Sequence, residues 1–256
     1  MLIAFKIMDC RMFAFSGNVW DAINIQKSLA EAAKNDIFDG NKSHSDGWGS
    51  AIISDDQELF VRRKMPIFKD SFIDIIKNLA GKIVLISHAR LASETEQKRG
   101  WIDSHPFRIS NENETFYIEH NGYIDKYFLN RKFGIEIKNF TDTEAFAFLL
   151  QKLNGDFIEN IKTVIDVLHE GTLAGTLNLI CAGYDYKNKR KICYYSDFNS
   201  KKKDYLTLFE FKRDDSFSVM SSTVAYYLNI IDENMNYRSN NVKMVEKGKL
   251  FVYEEG

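Results

Sequence analysis

The chain has 256 residues, 45% of them hydrophobic and 14% aromatic, and only 2 prolines. So much apolar side chain with so few breakers excludes disorder and suffices for one sizeable core. A formal net charge of -2 gives no positive field to collect the phosphates of a nucleic acid or an anionic membrane, which leaves small-molecule chemistry or protein partners.

In chain order, Met1–Asp9 (MLIAFKIMD) is a short apolar lead-in whose lysine comes late and which has no small-residue cleavage site, so export is not expected. Arg11–Phe15 reads as a strand. A helix follows through Trp20, Ile23, Leu29, Ala32 and Ala33, whose spacing gathers apolar side chains on one face. Trp48–Ile53 and Glu58–Arg63 form a hairpin that turns at Asp55 and Asp56. Phe68–Leu79 returns to helical spacing. Lys82–Ala89 (KIVLISHA) is nearly continuous in apolar residues, the mark of a strand buried on both faces, and Thr115–His120 (TFYIEH) predicts another strand. Thr141–Leu153 and Phe157–Leu168 are amphipathic helices, and Leu177–Tyr184 pairs with Lys191–Tyr195 around the polar Tyr186–Lys189. Tyr205–Phe211, Phe217–Ser221 and Lys249–Tyr253 are strands, the last entered through a turn at Gly248. The lysine-rich runs Lys187–Lys191 and Lys201–Lys203 read as solvated loops.

No repeat, low-complexity tract or Pro/Gly/Ser linker divides the chain, so one domain over residues 10–256 is expected, built as two sheets with helices outside. Three scattered cysteines with no CxxC pair supply neither a disulfide set nor a zinc site, and a reducing cytoplasm is expected. No apolar run reaches the roughly 18–20 residues of a bilayer crossing, so a soluble protein without membrane attachment is expected.

Four segments carry chemistry, each with a plainer alternative. Cys10 heads an apolar strand, where a thiol is ordinarily a small buried hydrophobe. Asn121 and Gly122 follow His120 at the end of a strand; Asn-Gly favours a tight hairpin turn, yet an amide beside an unhindered N–H also makes two converging donors for an oxyanion. Thr141 and Glu144 stand in the capping-box relation, so Asp142 serves the helix dipole or, exposed at a helix start, holds a substrate ammonium. Arg90 follows a buried strand and is either a surface arginine or a bidentate grip on a carboxylate.

The combination is more specific than its parts. Cys10–Gly17 (CRMFAFSG), Ser43–Gly49 (SHSDGWG), Ser87–Ser93 (SHARLAS), His105–Phe107 (HPF), Glu119–Gly122 (EHNG) and Thr141–Glu144 (TDTE) resemble, in order, the motifs of the class II, N-terminal-nucleophile glutamine amidotransferases. Val219–Thr223 (VMSST) and Lys247–Val252 (KGKLFV) are similar to the tail of the stand-alone members. The resemblance implies an α+β fold, a four-layer αββα sandwich of two stacked, mainly antiparallel sheets. It implies that Cys10 is the nucleophile, that Asn121 and Gly122 hold the oxyanion, and that Arg90 and Asp142 bind the α-carboxylate and α-ammonium of glutamine. His44, Asp46, Gly47, Trp48 and His120 are expected to shape the pocket. No cofactor and no metal are expected.

In such enzymes the α-amine of the cysteine is itself the base. With reference pKa values of about 7.7–8.0 for the amine and about 8.5 for the thiol, proton transfer between them is nearly balanced. Met1–Asp9 precedes Cys10, so activity requires its removal, and a self-processing cut between Asp9 and Cys10 is expected. The expected reaction is hydrolysis of glutamine with ammonia passed to a separate synthase. The alternatives are a hydrolase of another γ-glutamyl amide, similar to the ergothioneine-pathway members, and a glutamine-binding module without catalysis. A metallohydrolase built on His88, His105 and His120 is a weaker rival, because their spacing matches no metal pattern.

Overall fold

The computed structural model describes residues 10–92, 99–136, 139–171, 176–199 and 202–255. Its elements run β1 (Arg11–Asn18), α1 (Val19–Lys34), β2 (Trp48–Ile53), β3 (Glu58–Arg63), α2 (Phe72–Ile76), β4 (Lys82–Ala89), β5 (Phe107–Ser110), β6 (Glu114–Gly122), α3 (Lys126–Phe133), α4 (Asp142–Lys152) and α5 (Phe157–Glu170). They continue as β7 (Thr176–Asp185), β8 (Arg190–Phe198), α6 (Lys203–Leu206), β9 (Leu208–Arg213), β10 (Ser216–Ser221), α7 (Ser222–Tyr227), β11 (Val242–Met244) and β12 (Phe251–Glu254). The expected lead-in Met1–Asp9 lies outside the described residues.

The strands make two sheets, ordered β11-β9-β10-β1-β4-β2-β3 and β12-β8-β7-β6-β5. Every described pairing is antiparallel. Strand periodicity then sorts the side chains. Met12, Ala14, Ala51, Ile53, Val84 and Ile86 of the first sheet meet Tyr117, Ile180, Ala182, Ile192 and Tyr194 of the second in a middle core. Phe13, Phe15, Leu85 and Ala89 point the other way, into a core with Leu29 and Ala33 of α1, Phe72 of α2 and Val224 of α7. On the far side, Phe116 and Ile118 pack with Leu129, Phe146 and Leu150 and with Ile161, Val164 and Leu168 of α3–α5. The order helices, sheet, sheet, helices is the expected αββα sandwich. β1 and β4 are buried at all but one end residue each because both of their faces are covered.

The long helices begin where a polar side chain satisfies the open N–H groups. Asn18 caps α1 through Asp21 N at 3.0 Å, and Asp156 caps α5 through the N–H groups of Ile158 and Glu159. Each cap is worth about 1 kcal/mol. Three local expectations fail. Phe68–Leu79 is helical only over Phe72–Ile76, with a separate 3-10 turn at Ile67–Lys69. Tyr205 and Leu206 end a short helix, and the strand begins at Leu208. Trp20, counted on the apolar face of α1, is 76% exposed.

Candidate active site

Asn121 and Gly122 do not form a turn. They are the last residues of β6, paired with Asn178 and Leu177 of β7. On β6, Asn121 shares a face with Tyr117 and Glu119, the face toward the first sheet, and its Oδ1 accepts a hydrogen bond from Cys10 N at 3.3 Å. Cys10 stands immediately before the first paired residue of β1 and is fully buried. Its Sγ lies 4.0 Å from the carbonyl oxygen of Leu91, the residue after Arg90.

Gly122 is required on two counts. Its φ is +142°, and a Cβ at this position would stand 1.9 Å from the carbonyl oxygen of Thr176. The Thr176 carbonyl instead accepts from Tyr123 N at 2.9 Å, which turns the chain away from β7 directly after the glycine.

Arg90 is buried, not a surface arginine. The loop before β2 holds its backbone from both sides: Arg90 N donates to Gly47 O at 2.9 Å, and Arg90 O accepts from Asp46 N at 3.1 Å. The Asp46 carboxylate also accepts from Ala92 N at 3.0 Å. Gly47, with φ +117°, has Ser104 Oγ and Arg63 O at 2.6 and 2.7 Å from where a Cβ would lie. Asp46 and Gly47 therefore hold the backbone of the segment that carries Arg90, whereas His44 is turned to Asp36, 2.9 Å from its Oδ2. Trp48 pairs with Ala89, the residue before Arg90, while its ring packs 4.9 Å from Phe72 in the core beneath α1.

Asp142 opens α4 behind the capping box expected at Thr141, with Glu144 N to Thr141 Oγ1 at 3.1 Å and Thr141 N to Glu144 Oε2 at 3.3 Å. It is buried, not exposed as the sequence suggested. Its carboxylate accepts from Ile124 N at 3.0 Å and Thr143 N at 2.7 Å. His120, on the outer face of β6, lies 3.9 Å from Asp142 and 3.1 Å from Thr143 Oγ1. Burial lowers the His120 pKa, so at neutral pH Asp142 faces an uncharged imidazole. His120 thus supports α4 from the side of the sheet away from Cys10. Arg99 ties Glu144 at 2.5 Å to Asp103, joining the segment after Arg90 to the start of α4.

Behind Cys10 is a buried polar network that the motifs did not announce. Arg11 Nε donates to Asp36 Oδ2 at 2.5 Å, and Arg11 Nη1 donates to the carbonyls of Cys10 at 3.0 Å and Tyr205 at 3.3 Å. Asp36 also accepts from Thr223 Oγ1 at 2.5 Å and lies 2.9 Å from His44 Nε2. Burial pushes the Asp36 carboxyl up, but Arg11 and His44 outweigh it and hold the group well below the usual carboxylate range. The one signal in the sequence was an arginine inside an otherwise apolar strand.

His88 and His105 form a second group, their rings 4.2 Å apart, with His88 Nε2 3.4 Å from the carbonyl of His120. Burial, with Arg90 adding to it, pulls His88 down to about 3, and burial lowers His105 well below its usual value. Among the described residues no cluster of three or more His, Cys, Asp or Glu side chains is arranged to hold a metal ion.

Two stacked antiparallel sheets between helical layers are the fold of the N-terminal-nucleophile hydrolases, and here a cysteine heads a central strand beside an asparagine-glycine pair. Within that class, residues 9–186 match the class-II glutamine amidotransferases. The chain belongs to this family, whose members are enzymes. It is 30% identical over 154 residues to a glutamine–fructose-6-phosphate aminotransferase (isomerizing) of Francisella tularensis, covering 57% of this chain and 23% of that protein. Among solved structures, it resembles a glutamine phosphoribosylpyrophosphate amidotransferase from B. subtilis, with 15% identity and a TM-score of 0.63 over 95% of this chain and 47% of that one. A structure described as the allosteric regulatory enzyme of purine biosynthesis agrees equally well, with a TM-score of 0.63 at 15% identity over 95% of this chain and 46% of that one. The chain therefore spans about a quarter of the curated relative and about half of the solved ones. At this identity the solved structures speak for the fold alone.

Proposed function

We propose that this protein hydrolyses the side-chain amide of glutamine at Cys10 and delivers the ammonia to an acceptor. The observation that carries this reading is the 3.3 Å contact between Cys10 N and Asn121 Oδ1, within a chain of amidotransferase ancestry. In the active form Cys10 is the first residue, the nine before it having been removed at the Asp9–Cys10 bond.

The Cys10 thiol passes its proton to its own α-amine, and the thiolate attacks the carboxamide carbon. The C=O bond opens to an oxyanion held by the Asn121 side-chain N–H and the Gly122 N–H. Loss of one such donor typically costs about 2.7–4 kcal/mol of transition-state stabilisation. Collapse breaks the C–N bond, the ammonium returns the proton to the leaving group, and ammonia departs from a γ-glutamyl thioester. Water then releases glutamate and restores the thiol. Arg90 and Asp142 grip the two charged groups on the glutamine α-carbon. Two of the three relatives are named for glutamine together with a second substrate, so we take the ammonia here to be consumed by a partner synthase.

Two measurements on one sample test this. Intact mass should show Cys10 as the first residue, and 6-diazo-5-oxo-norleucine should then add to Cys10 and abolish glutamate release. Glutamine binding to a full-length chain that never takes the label would make the protein a binding module. Turnover of a longer γ-glutamyl amide in preference to glutamine would reassign the substrate.

A further inference from the structure

Cys10 lies outside the β ladder, which begins at Arg11 opposite Ala89. A residue at the head of a strand frays unless something holds it, and it frays most readily once nothing precedes it. Asn121 holds the nitrogen end of Cys10. Its carbonyl end is held by Arg11, which curls back to the preceding oxygen while its guanidinium lies 3.5 Å over the Tyr205 ring.

Arg11 is in turn fixed by Asp36, and Asp36 by Thr223 at the start of α7, all of them inaccessible to solvent. The Ser-Ser-Thr run noted in the sequence completes the arrangement. Ser221 Oγ accepts from Met12 N at 3.1 Å and donates to Met12 O at 3.2 Å. Ser222 Oγ donates to Tyr205 O at 3.1 Å. The charge-assisted bond from Arg11 Nε to Asp36 and the bond from Nη1 to the Cys10 carbonyl come from one planar group, so the pair fixes direction as well as distance.

We propose that Arg11, Asp36 and Thr223 are positioning residues for the nucleophile, a clamp that fixes the Cys10 carbonyl and thereby aims its amine and thiol at the substrate. None of the three touches substrate. The kinetic part of this assignment rests on the reading of Cys10 as nucleophile; the structural part does not.

The test uses Arg11→Lys, which keeps the charge but loses the planar group that reaches Asp36 and the Cys10 carbonyl together, and the pair Thr223→Val and Thr223→Ser, of which only serine keeps the hydroxyl. The chain has 3 cysteines, so protein labelled with 13C and 15N at cysteine gives a signal from Cys10 and two internal controls, the buried Cys181 and Cys193. Arg11→Lys and Thr223→Val are expected to broaden or double the Cys10 resonance and leave the other two unmoved. In the same variants kcat for glutamine should fall about tenfold to a hundredfold, the scale of a small misplacement of reacting groups, with KM unchanged. Thr223→Ser should behave as wild type.

A single unchanged Cys10 resonance with wild-type kcat overturns the proposal. So does a rise in KM at constant kcat, or movement of all three resonances together. Should Arg11→Lys fail to fold, the Thr223 pair decides. Should wild type release no ammonia, the catalytic reading falls, and the clamp is judged on the Cys10 resonance alone.

Discussion

Glu119→Gln isolates the effect of a carboxyl buried in the middle of the sandwich. Glu119 alternates with Tyr117 and Asn121 on β6 and stands opposite Ile180. It is fully buried, neither of its oxygens has a hydrogen-bond partner, and burial raises its pKa well above the ordinary value. The folded protein therefore keeps a proton that the unfolded chain releases above about pH 4.3. The carboxyl favours folding fully only below that pH, and its contribution is lost as the pH rises toward the folded pKa. In this window each pH unit removes about 1.4 kcal/mol.

Glutamine has the same shape and does not titrate. The variant should thus gain on wild type by about 1.4 kcal/mol between pH 5 and pH 6. Urea unfolding followed by tryptophan fluorescence at several pH values measures the gap. His88 and His105, whose pKa values are lowered, slope the opposite way; both proteins carry them, so they cancel in the difference. A gap that stays flat or narrows as the pH rises would refute the reasoning.

Gly122→Ala should cost on the order of 2–4 kcal/mol in thermal or urea unfolding and abolish turnover, because the new methyl meets the Thr176 carbonyl and the backbone is left-handed there. Arg90→Lys should raise KM for glutamine by about tenfold or more with kcat little changed, since an ammonium cannot reproduce a bidentate grip; steady-state assays would show it. Thr141→Ala removes the cap of α4 and should lower stability by about 1 kcal/mol, read as a shift in the urea midpoint.

The fold was legible where the pattern was long or the punctuation strong. β2 and β3 match Trp48–Ile53 and Glu58–Arg63 residue for residue, because two β-rich runs and the Asp-Asp turn between them agree. Phe68–Leu79 kept helical spacing while the backbone broke at Asp70 and Ser71, so the stripe is shared by a 3-10 turn and a short helix. Tyr205 and Leu206 suit strands by propensity, but a run this short does not distinguish strand from helix. At Asn121–Gly122 the local preference for a turn yields to the ladder with β7, a partner more than 50 residues away in sequence. The strand β5 and the helices α3 and α7 gave no usable signal. As for the site, Cys10, Arg90, Asn121 and Asp142 were visible as motifs. Asp36 was not, and Thr223 stood only within the VMSST segment with no role attached, since Arg11 meets Asp36 and Asp36 meets Thr223 across separations that no local spacing reveals.

β1 lies between β4 and β10, with Phe13 opposite Ser87 on one side and Met220 on the other. β1 is thus flanked on one side by a strand that follows it by about 200 residues, an ordering that leaves its second edge open until β10 has been made. A prematurely terminated chain that stops short of residue 216 has the cysteine but neither β10 nor the serines and threonine behind it. If Cys10 acts as proposed, quality control of the thiol is in this way written into strand order: such incomplete products carry it without the residues that hold it.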